Sequence, residues 1–398
     1  MRRLIGIVWI VCCCAAPALA GPPARDPFAV PPGLEDEVRF WQAVFGRFGA
    51  DQVVFYDERY LNVIYKVLDF SALSARRDIS RAAKREIRQT EVNRTVREIA
   101  AALNGLAPCG ACAEATDEQR YYRKLFAGVP APDAPRALAG AVSRIRVQIG
   151  QKDYLRRAIV QSIPYAGDIR HLFETRRLPP DLIALVFIES MFNPRALSKV
   201  GALGLWQFMP ETGKDYVSMN AFWDERGDPL RSSEGAAEYL ADLFRRTGDW
   251  GIAINSYHSG LGRLLHAEKA LGTRDIAAII HRYDGPGYEF YSRNYFPEFL
   301  AVVELYRNRR AYFGLEDGTP GAGLQFDMVK TGDFVNLPEL MARFAIAPGA
   351  MQSLNPSLKE AVIEGELPLP PYFLLKVPRG LGYYIANFVG IRPAARAQ

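Results

Sequence analysis

The sequence has few of the residues that build metal centres or strongly charged binding surfaces. It contains four histidines and five cysteines among 398 residues, and its formal net charge is only +5. A dedicated nucleic-acid-binding protein usually carries a much stronger basic patch, so we expect no nucleic-acid partner. The four histidines do not recur at the spacing of metal ligands, and we expect no metal ion and no other cofactor. With 49% apolar and 23% charged residues, the composition is that of a globular protein.

Long apolar runs are also missing, except near the first residue. Arg2 and Arg3 precede an apolar stretch over residues 4–16, which is shorter than the roughly 20 residues of a spanning helix. Ala18 and Ala20 then supply the small residues that precede a signal-peptidase cut. We therefore predict a signal peptide over residues 1–20 and an exported protein of the periplasm or cell envelope. A retained N-terminal anchor is the alternative interpretation.

The cysteines divide between this leader and one later motif. Lipid attachment at Cys12 is a second alternative, but Val11 stands where a lipoprotein signal has a small residue. Cys109 and Cys112 form a lone CxxC motif, which offers too few ligands for zinc. The strand and helix that flank a thioredoxin-like redox motif are not recognisable here. The favoured interpretation is a local disulfide outside the cytosol, with redox chemistry as the alternative.

The first half of the chain has mostly helical periodicity. Residues 21–34 are rich in proline, alanine and glycine and predict a flexible leader. Apolar residues recur at helical spacing over residues 38–45 and again over residues 61–68. Residues 71–99 predict a long amphipathic helix whose arginine-rich face is either simply solvated or in contact with an anionic polymer. We expect a helical N-terminal region over residues 35–160.

The second half divides into a helical region and a small module of mixed structure. Helical periodicity continues over residues 161–315 and ends before a glycine-rich linker. Beyond the linker, residues 326–329 predict a short strand, residues 337–344 a helix and residues 372–377 a second strand. The segment 324–380 is therefore expected to be a separate α+β module, and the chain as a whole mainly α.

One carboxylate falls on the apolar face of its predicted helix. Pro180 and Asp181 are typical of a helix start, and Asn193-Pro194 of a helix end. Leu182, Leu185, Val186 and Glu189 lie at i, i+3, i+4 and i+7. Apolar surroundings raise the pKa of a carboxyl group, as a general acid requires near neutral pH. Periodicity alone leaves open the alternative of a helix-end glutamate turned toward solvent.

The residues that follow carry a family resemblance. Residues 189–213 read ESMFNPRALSKVGALGLWQFMPETG, which resembles the signature of the bacterial lytic transglycosylases. Residues 256–260 (SYHSG) and 294–297 (NYFP) resemble two later segments of that family. The likeness is strong over about residues 140–310 and greatest to the D subgroup of the lytic murein transglycosylases. The segment 326–378 also loosely resembles the C-terminal part of that subgroup and a degenerate lysin motif, a small glycan-binding module.

The resemblance implies a lysozyme-like catalytic domain and a reaction on cell-wall glycan. The implied substrate is the β-1,4 bond between N-acetylmuramic acid and N-acetylglucosamine in peptidoglycan strands, with other cell-wall enzymes as possible partners. Glu189 would protonate the leaving oxygen and then, as a base, take the proton of the muramyl 6-hydroxyl, which yields a 1,6-anhydro end. Such a lyase needs a single carboxylate, whereas a hydrolase usually needs two.

The same resemblance assigns roles to further side chains. Ser198 and Gln207 would hydrogen-bond the sugar or its acetamido group, and Met209 would form a wall of the site. Tyr257 and Tyr295 would hydrogen-bond and orient the acid; packing in the core is the alternative for both.

Two positions depart from the family pattern, and two other functions compete. Met191 stands where the D subgroup has serine, and His258 where the wider family has asparagine. Ser190 and His258 are expected to support the site from behind the substrate-contacting residues. A lysozyme-like muramidase is the first alternative; carboxylates near the motif that it might use are Glu211, Asp215, Asp224 and Glu225. A non-catalytic wall-binding protein is the second.

Overall fold

The computed structural model describes residues 26–106, 116–129, 134–316 and 325–389. The predicted signal peptide and the Cys109–Cys112 pair lie outside these residues and stay predictions. Helices predominate in the described chain, which confirms the mainly α prediction. None of its helices is both long and apolar enough to cross a membrane.

The N-terminal region combines helices with a three-stranded antiparallel sheet. Its elements are α1 (Glu35–Gly46), β1 (Gln52–Asp57), β2 (Ile64–Asp69), α2 (Ser71–Ala75), α3 (Arg81–Asn104), α4 (Asp117–Leu125), α5 (Ala134–Ala139) and β3 (Ile145–Ile149). The strand order is β2-β1-β3, with Val54 paired to Val67 on one side and to Gln148 on the other. Acidic residues in the first turn of α1 stabilise the helix, because their negative charge interacts favourably with the positive N-terminal end of the helix dipole.

The prediction of helix over residues 61–68 is wrong. Residues 64–69 form β2, in which buried and more exposed side chains alternate from Tyr65 onward. Leu61, Tyr65 and Leu68 fit a helical spacing, but Tyr65 and Val67 are also strong strand formers. Pairing with the buried strand β1 decides between the two patterns, since that pairing satisfies the backbone hydrogen bonds of both strands.

Helices then form the body of the molecule. They are α6 (Lys152–Thr175), α7 (Ala184–Ser190), α8 (Pro210–Gly213), α9 (Pro229–Thr247), α10 (Trp250–Ser259), α11 (Leu261–Leu271), α12 (Ile276–Arg282), α13 (Phe290–Arg307) and α14 (Arg309–Phe313). A 3₁₀ turn over Pro180–Ile183 precedes α7. The buried α13 lies against α1, α7, α10 and α12, so it is the central element of this body.

Two of the predicted boundaries differ from the observed structure. Residues 26–34 do not form a free leader, because Phe28 and Leu34 are buried in the main core and Phe28 packs edge-on against Phe299 at 4.9 Å. The predicted boundary between residues 160 and 161 falls inside α6. Apolar side chains of α1 and α6 share one core with α13, and the covalent order of the segments does not show this sharing.

The C-terminal module has its own small core. It contains β4 (Phe326–Lys330), α15 (Leu337–Arg343), α16 (Pro348–Leu354), α17 (Glu360–Ile363), β5 (Leu374–Pro378) and α18 (Gly382–Val389). The strands pair antiparallel, with Val329 opposite Leu375. The two strands and the helix lie within two residues of their predicted bounds. Ile385 and Val389 of α18 belong to the module core, so the module extends beyond residue 380.

Candidate active site

Glu189 lies in the last turn of the short helix α7. Pro180 occupies the first position of the preceding 3₁₀ turn, where its missing N–H leaves no hydrogen bond unmade. Leu185, Val186 and Phe187 of α7 are fully buried, which fixes the orientation of the helix in the core. Glu189 itself is half-buried at the edge of that core. The apolar-face position predicted from the sequence is therefore the observed one.

The chain turns sharply just after the acid. Met191 and Phe192 adopt left-handed backbone conformations, with φ of 49° and 58°. Such a conformation costs a non-glycine residue about 1–2 kcal/mol. The N–H groups of both residues bond back to α7, to the carbonyls of Phe187 and Val186, and thereby close the helix at Ser190. The helix ends earlier than Asn193-Pro194 because this turn, and not the proline, stops it.

Tyr295 on α13 donates a hydrogen bond from its hydroxyl to Glu189 Oε1. Burial raises the pKa of Glu189 to about 7, and the hydrogen bond from Tyr295 acts in the opposite direction. Within the described chain, no Lys, Arg or His forms an ion pair with Glu189. The result is a carboxyl group that exchanges its proton near neutral pH, as an acid–base catalyst requires.

Two side chains of α10 surround this pair. The His258 ring stacks on Tyr295 with 4.6 Å between ring centroids and 18° between planes. Burial, followed by the charge of Arg263, lowers the pKa of His258, so its ring is neutral at neutral pH. Tyr257 donates its hydroxyl hydrogen to the carbonyl of Trp206 at 2.7 Å, whereas the family resemblance implies a bond to the acid. Tyr257 still lies near Glu189, since burial and then the charge of Glu189 raise its pKa.

The loop after α7 carries the other side chains that the family resemblance assigns to the site. Ser198 Oγ accepts a hydrogen bond from the Ala202 N–H at 2.9 Å. Gln207 Nε2 donates to the carbonyls of Ala196 and Gly204 at 3.1 and 2.9 Å, which fixes its orientation. No hydrogen bond from the described residues reaches Gln207 Oε1, so this acceptor is free for a ligand. Gln207 also has a left-handed backbone, with φ of 47°.

Ser190 and Met209 occupy the two ends of this loop. Ser190 Oγ donates to the Leu205 carbonyl at 2.9 Å and so ties α7 to the loop without contacting the acid through a hydrogen bond. Met209 is half-buried and directly precedes α8. Trp206, between them, is fully buried with Nε1 bonded to Ser233 Oγ, so it belongs to the core.

A buried arginine hydrogen-bonds two carbonyl groups of the loop. Arg226 Nη1 donates to the carbonyls of Gly201 and Phe208 at 2.8 and 2.9 Å, and Asp224 pairs with its guanidinium. Gly204 approaches Arg226 so closely that a Cβ atom would lie 1.9 Å from the Arg226 carbonyl oxygen. Only glycine fits at this position, which explains one of the glycines of the sequence motif.

The structure adds a residue that sequence reasoning missed, Glu298. It lies on α13 three residues after Tyr295, and is half-buried. Burial, and then the charge of Glu189, raise the pKa of Glu298 to about 8. The available signal was an acidic residue inside the apolar stretch that follows the NYFP segment.

The four carboxylates considered for a hydrolase show no interaction with the Glu189 carboxyl. The groups that perturb the Glu189 carboxyl include none of Glu211, Asp215, Asp224 and Glu225. Asp224 is engaged by Arg226, and Glu225 accepts a hydrogen bond from the Ser218 N–H at 2.9 Å. Over the described ranges, no three His, Cys, Asp or Glu side chains are grouped to hold a metal ion.

A polar cavity of about 790 Å³ lies between the N-terminal sheet and the first turns of α13. Tyr56 and Arg146 from the N-terminal sheet line one side, and Tyr291 and Arg293 of α13 line the other. Tyr291 precedes Tyr295 by four residues, so the two tyrosines are about one turn apart on α13, roughly 6 Å along its axis.

Comparison with known proteins finds similarity over the region that contains Glu189. Residues 171–280 match the family model of the Transglycosylase SLT domain. The chain is 26% identical over 233 residues to membrane-bound lytic murein transglycosylase D of Escherichia coli K12. This match covers 55% of this chain and 49% of that protein. It is 42% identical over 84 residues to the transglycosylase of Enterobacteria phage PRD1, over 21% of this chain and 30% of that protein.

Among solved structures, the 70-kDa soluble lytic transglycosylase of Escherichia coli matches 70% of this chain and 52% of its own, with 17% identity and a TM-score of 0.34. The chain spans about half the length of the first curated relative. The resemblance inferred from residues 189–213 is thus confirmed: residues 171–280 match the Transglycosylase SLT domain, and the chain is similar to the lytic murein transglycosylases.

Proposed function

We propose that this protein is a peptidoglycan lytic transglycosylase. It cleaves the β-1,4 bond between N-acetylmuramic acid and N-acetylglucosamine and leaves 1,6-anhydro ends. The observation that carries this proposal is the environment of Glu189: half-buried, bonded to Tyr295, unpaired by any described cation, and with a pKa of about 7. The SLT-domain match over residues 171–280 supports the substrate class.

In the first step, Glu189 acts as an acid. Its neutral carboxyl transfers a proton to the glycosidic oxygen, and the bond from that oxygen to C1 breaks with both electrons leaving on the oxygen. The acetamido group of the muramyl residue shares the positive charge that develops at C1. Burial favours this step because it holds the proton on Glu189 until the leaving oxygen takes it.

In the second step, the same group acts as a base. The Glu189 carboxylate takes the proton of the muramyl C6 hydroxyl, and the oxygen of that hydroxyl bonds to C1. The anhydro ring closes, no water is consumed, and Glu189 regains its proton for the next cycle. One carboxyl can serve both steps because its pKa of about 7 lies near the working pH.

The surrounding loop would position the sugar. The free Oε1 of Gln207 is an acceptor for an acetamido N–H, and Ser198 is held by the Ala202 N–H with its hydroxyl hydrogen available to donate. Met209 provides an apolar wall, and Tyr257 holds the loop through the Trp206 carbonyl. The cavity beside Tyr291 gives room for neighbouring parts of a polymeric substrate.

Product analysis tests the proposal and separates it from a muramidase. Purified protein is incubated with sacculi, and the released muropeptides are identified by mass spectrometry. Anhydromuramyl ends, which are 18 Da lighter than reducing ends, are the expected product. Reducing ends would mean a hydrolase, and no release by a folded protein would favour a non-catalytic wall-binding role.

The C-terminal module is proposed to assist glycan binding. Met328, Phe334 and Tyr372 are exposed large side chains on it, with 63%, 60% and 68% of their surface accessible. Replacement of Phe334 and Tyr372 by alanine should weaken co-sedimentation with sacculi and leave cleavage of short soluble strands unchanged. Unchanged co-sedimentation would remove the binding role. The lysin-motif assignment and a location in the cell envelope belong to the same proposal.

A further inference from the structure

A short segment of the helical body, residues 222–228, is hydrogen-bonded to the backbone of the C-terminal module. The Asp224 N–H donates to the Ser357 carbonyl at 2.8 Å. The Lys359 N–H donates in the opposite direction, to the Phe222 carbonyl at 3.0 Å. The two bonds join the segment to the module in the manner of paired antiparallel strands.

Side chains strengthen the same junction. The ring of Trp223 lies 5.1 Å from the ring of Phe373 in the module, measured between centroids. Phe222 and Trp223 both pack against the module core. At the other end of the segment, Asp228 pairs with Lys376 of β5 at 2.8 Å, and both side chains are largely buried. The module therefore holds the segment at both of its ends.

Arg226 lies within this segment and contacts the loop after α7. Its side chain is buried, and Nη1 donates to the carbonyls of Gly201 and Phe208 at 2.8 and 2.9 Å. Asp224 accepts hydrogen bonds from Nε and Nη2 of the same guanidinium, at 3.0 and 2.7 Å, and so fixes its orientation. Because the Asp224 N–H is bonded to the module, Asp224 and Arg226 form a continuous link from the module to the loop.

The backbone of Arg226 also supports the residue that orients Gln207. Gly204 packs so closely on the Arg226 carbonyl that no Cβ atom fits between them. The Gly204 carbonyl accepts a hydrogen bond from Gln207 Nε2 at 2.9 Å, which leaves Gln207 Oε1 as the acceptor for a ligand. The orientation of the Gln207 amide therefore depends on the position of Arg226.

We propose that the C-terminal module is a positioning element of the active site, which acts through Arg226 on the loop that carries Gln207. This inference rests on the proposed function, in which Gln207 accepts a hydrogen bond from the acetamido group. It differs from the glycan-binding role of the module, because it needs no contact between module and glycan. Glu189 and Tyr295 are held by α7 and α13, so the module governs sugar binding and not proton transfer.

Amide hydrogen exchange in the full chain tests the positioning without substrate. Phe373→Ala removes the ring that packs on Trp223 and leaves the helical body unaltered. The N–H groups of Leu203 and Gly204 are bonded within the loop. Their exchange should accelerate by about two- to tenfold, the range expected for loss of an aromatic pair. The Met191 N–H, bonded to α7, should keep its exchange rate.

Tyr383→Ala is the matched control. Tyr383 is an aromatic residue of the same module, on α18, with 76% of its surface accessible. Its ring lies beside that of its neighbour Tyr384 and not beside Trp223. Its removal should leave the two loop amides and the α7 amide at their original exchange rates.

Two results would overturn the proposal. Unchanged loop amides in folded Phe373→Ala would show that the loop does not depend on the module. Equal acceleration of the loop amides and the α7 amide would show a loss of global stability without selective positioning. Trp223→Leu removes the same ring pair from the side of the body, and it replaces Phe373→Ala if that variant does not fold.

Sugar binding tests the transmission through Arg226. Chitotetraose, a short β-1,4-linked chain of N-acetylglucosamine, is the probe, and its Kd is measured by calorimetry. The Kd should rise by about two- to tenfold in Phe373→Ala. It should rise at least as much in Arg226→Lys, because lysine lacks the planar donor fork of arginine. In the double variant the two effects should not add, since both weaken the same link. Additive effects would overturn the transmission through Arg226.

Steady-state kinetics on short soluble strands separates binding from chemistry. In Phe373→Ala, KM should rise together with the Kd of chitotetraose. The kcat value and the alkaline limb of the pH profile should stay unchanged, because the bond between Glu189 and Tyr295 is not altered. A fall in kcat at unchanged KM would overturn the positioning role. Absence of cleavage by the unaltered protein, together with faster loop exchange in Phe373→Ala, would contradict the proposed function and not the positioning of the loop.

Discussion

Buried and half-buried carboxyl groups have very different hydrogen-bond and ion-pair partners in two parts of this molecule. In the N-terminal sheet, Asp57 is fully buried, and its oxygens accept hydrogen bonds from Arg144, from Tyr65 and from two backbone N–H groups. In the active site, Glu189 accepts one hydrogen bond from a neutral hydroxyl, and Glu298 accepts none within the described chain.

The contrast separates structural from chemical use of the same functional group. A buried carboxylate with a cation and several donors is stable in its charged form, as a structural residue must be. A carboxyl without a cation favours its neutral form and releases its proton near neutral pH, which an acid catalyst requires. Asp228 of the helical body pairs with Lys376 of the C-terminal module at 2.8 Å and belongs to the first class.

The largest effect is expected for Glu189→Gln, which removes the exchangeable proton of the second class. Cleavage of sacculi should fall by at least about 10²–10⁴-fold, since one group supplies both the acid and the base. The measurement is release of anhydromuropeptides, with circular dichroism as the control for folding. A folded variant that keeps a tenth of the activity would contradict the one-acid mechanism.

The same substitution should raise thermal stability at pH 8 and change it little at pH 4. In the unfolded chain the carboxyl ionises near its ordinary pKa of 4.5, but in the folded protein only near 7. Stability of the original protein is therefore lost as pH rises from about 4.5 to 7. A gain in thermal stability over the original protein that became smaller as the pH rose would contradict this prediction.

Next in size is the effect of Lys376→Met, which breaks a pair of the structural class. Asp228 would keep its N-cap bonds to Leu230 and Arg231 but lose its cation. Loss of one partner of a buried pair costs about 3–5 kcal/mol, so the midpoint of urea unfolding should fall clearly. The ratio of anhydro to reducing ends should not change. The double variant Lys376→Met with Asp228→Asn should recover part of the loss, and no recovery would contradict the pairing.

A smaller effect is expected for Tyr295→Phe. The variant loses the one hydrogen bond that Glu189 accepts from the described part of the chain and keeps the ring that stacks on His258. We expect about a 10- to 150-fold loss of kcat, because a hydrogen bond to a charged group contributes about 1.5–3 kcal/mol. This hydrogen bond lowers the pKa of Glu189, so its removal should move the alkaline limb to higher pH. A shift of the alkaline limb to lower pH would contradict this interpretation.

The smallest effect is expected for His258→Asn, which restores the residue of the family pattern. The ring stack on Tyr295 is lost, and an aromatic pair is worth about 0.5–1.5 kcal/mol. Activity at neutral pH should therefore change by about two- to tenfold. Because burial keeps His258 neutral at that pH, its ring supplies packing and no charge. An effect as large as that of Glu189→Gln would instead place His258 among the reacting groups.

The local sequence was informative wherever neighbouring residues settle the structure. The apolar spacing around Glu189, the strands at residues 326–330 and 374–378 and the helix after residue 336 were all predicted from short windows. The helix predicted at residues 61–68 failed, because those residues fit two periods and a strand distant in sequence selected one. Tyr257 bonds Trp206 and not the acid for the same kind of reason: a nearby loop carbonyl competes for its hydroxyl.

What the sequence determined by itself is the family motif over residues 189–213, the acid within it and the mainly helical character, because each depends on residue types at fixed short spacing. What only the tertiary structure decided is the chemical environment of the acid. Tyr295 and Glu298 lie more than a hundred residues from Glu189, and the packing of α13 against α7 brings them to it. Burial and charge act through space, so the pKa of Glu189 is a property of that packing and not of the segment that contains it.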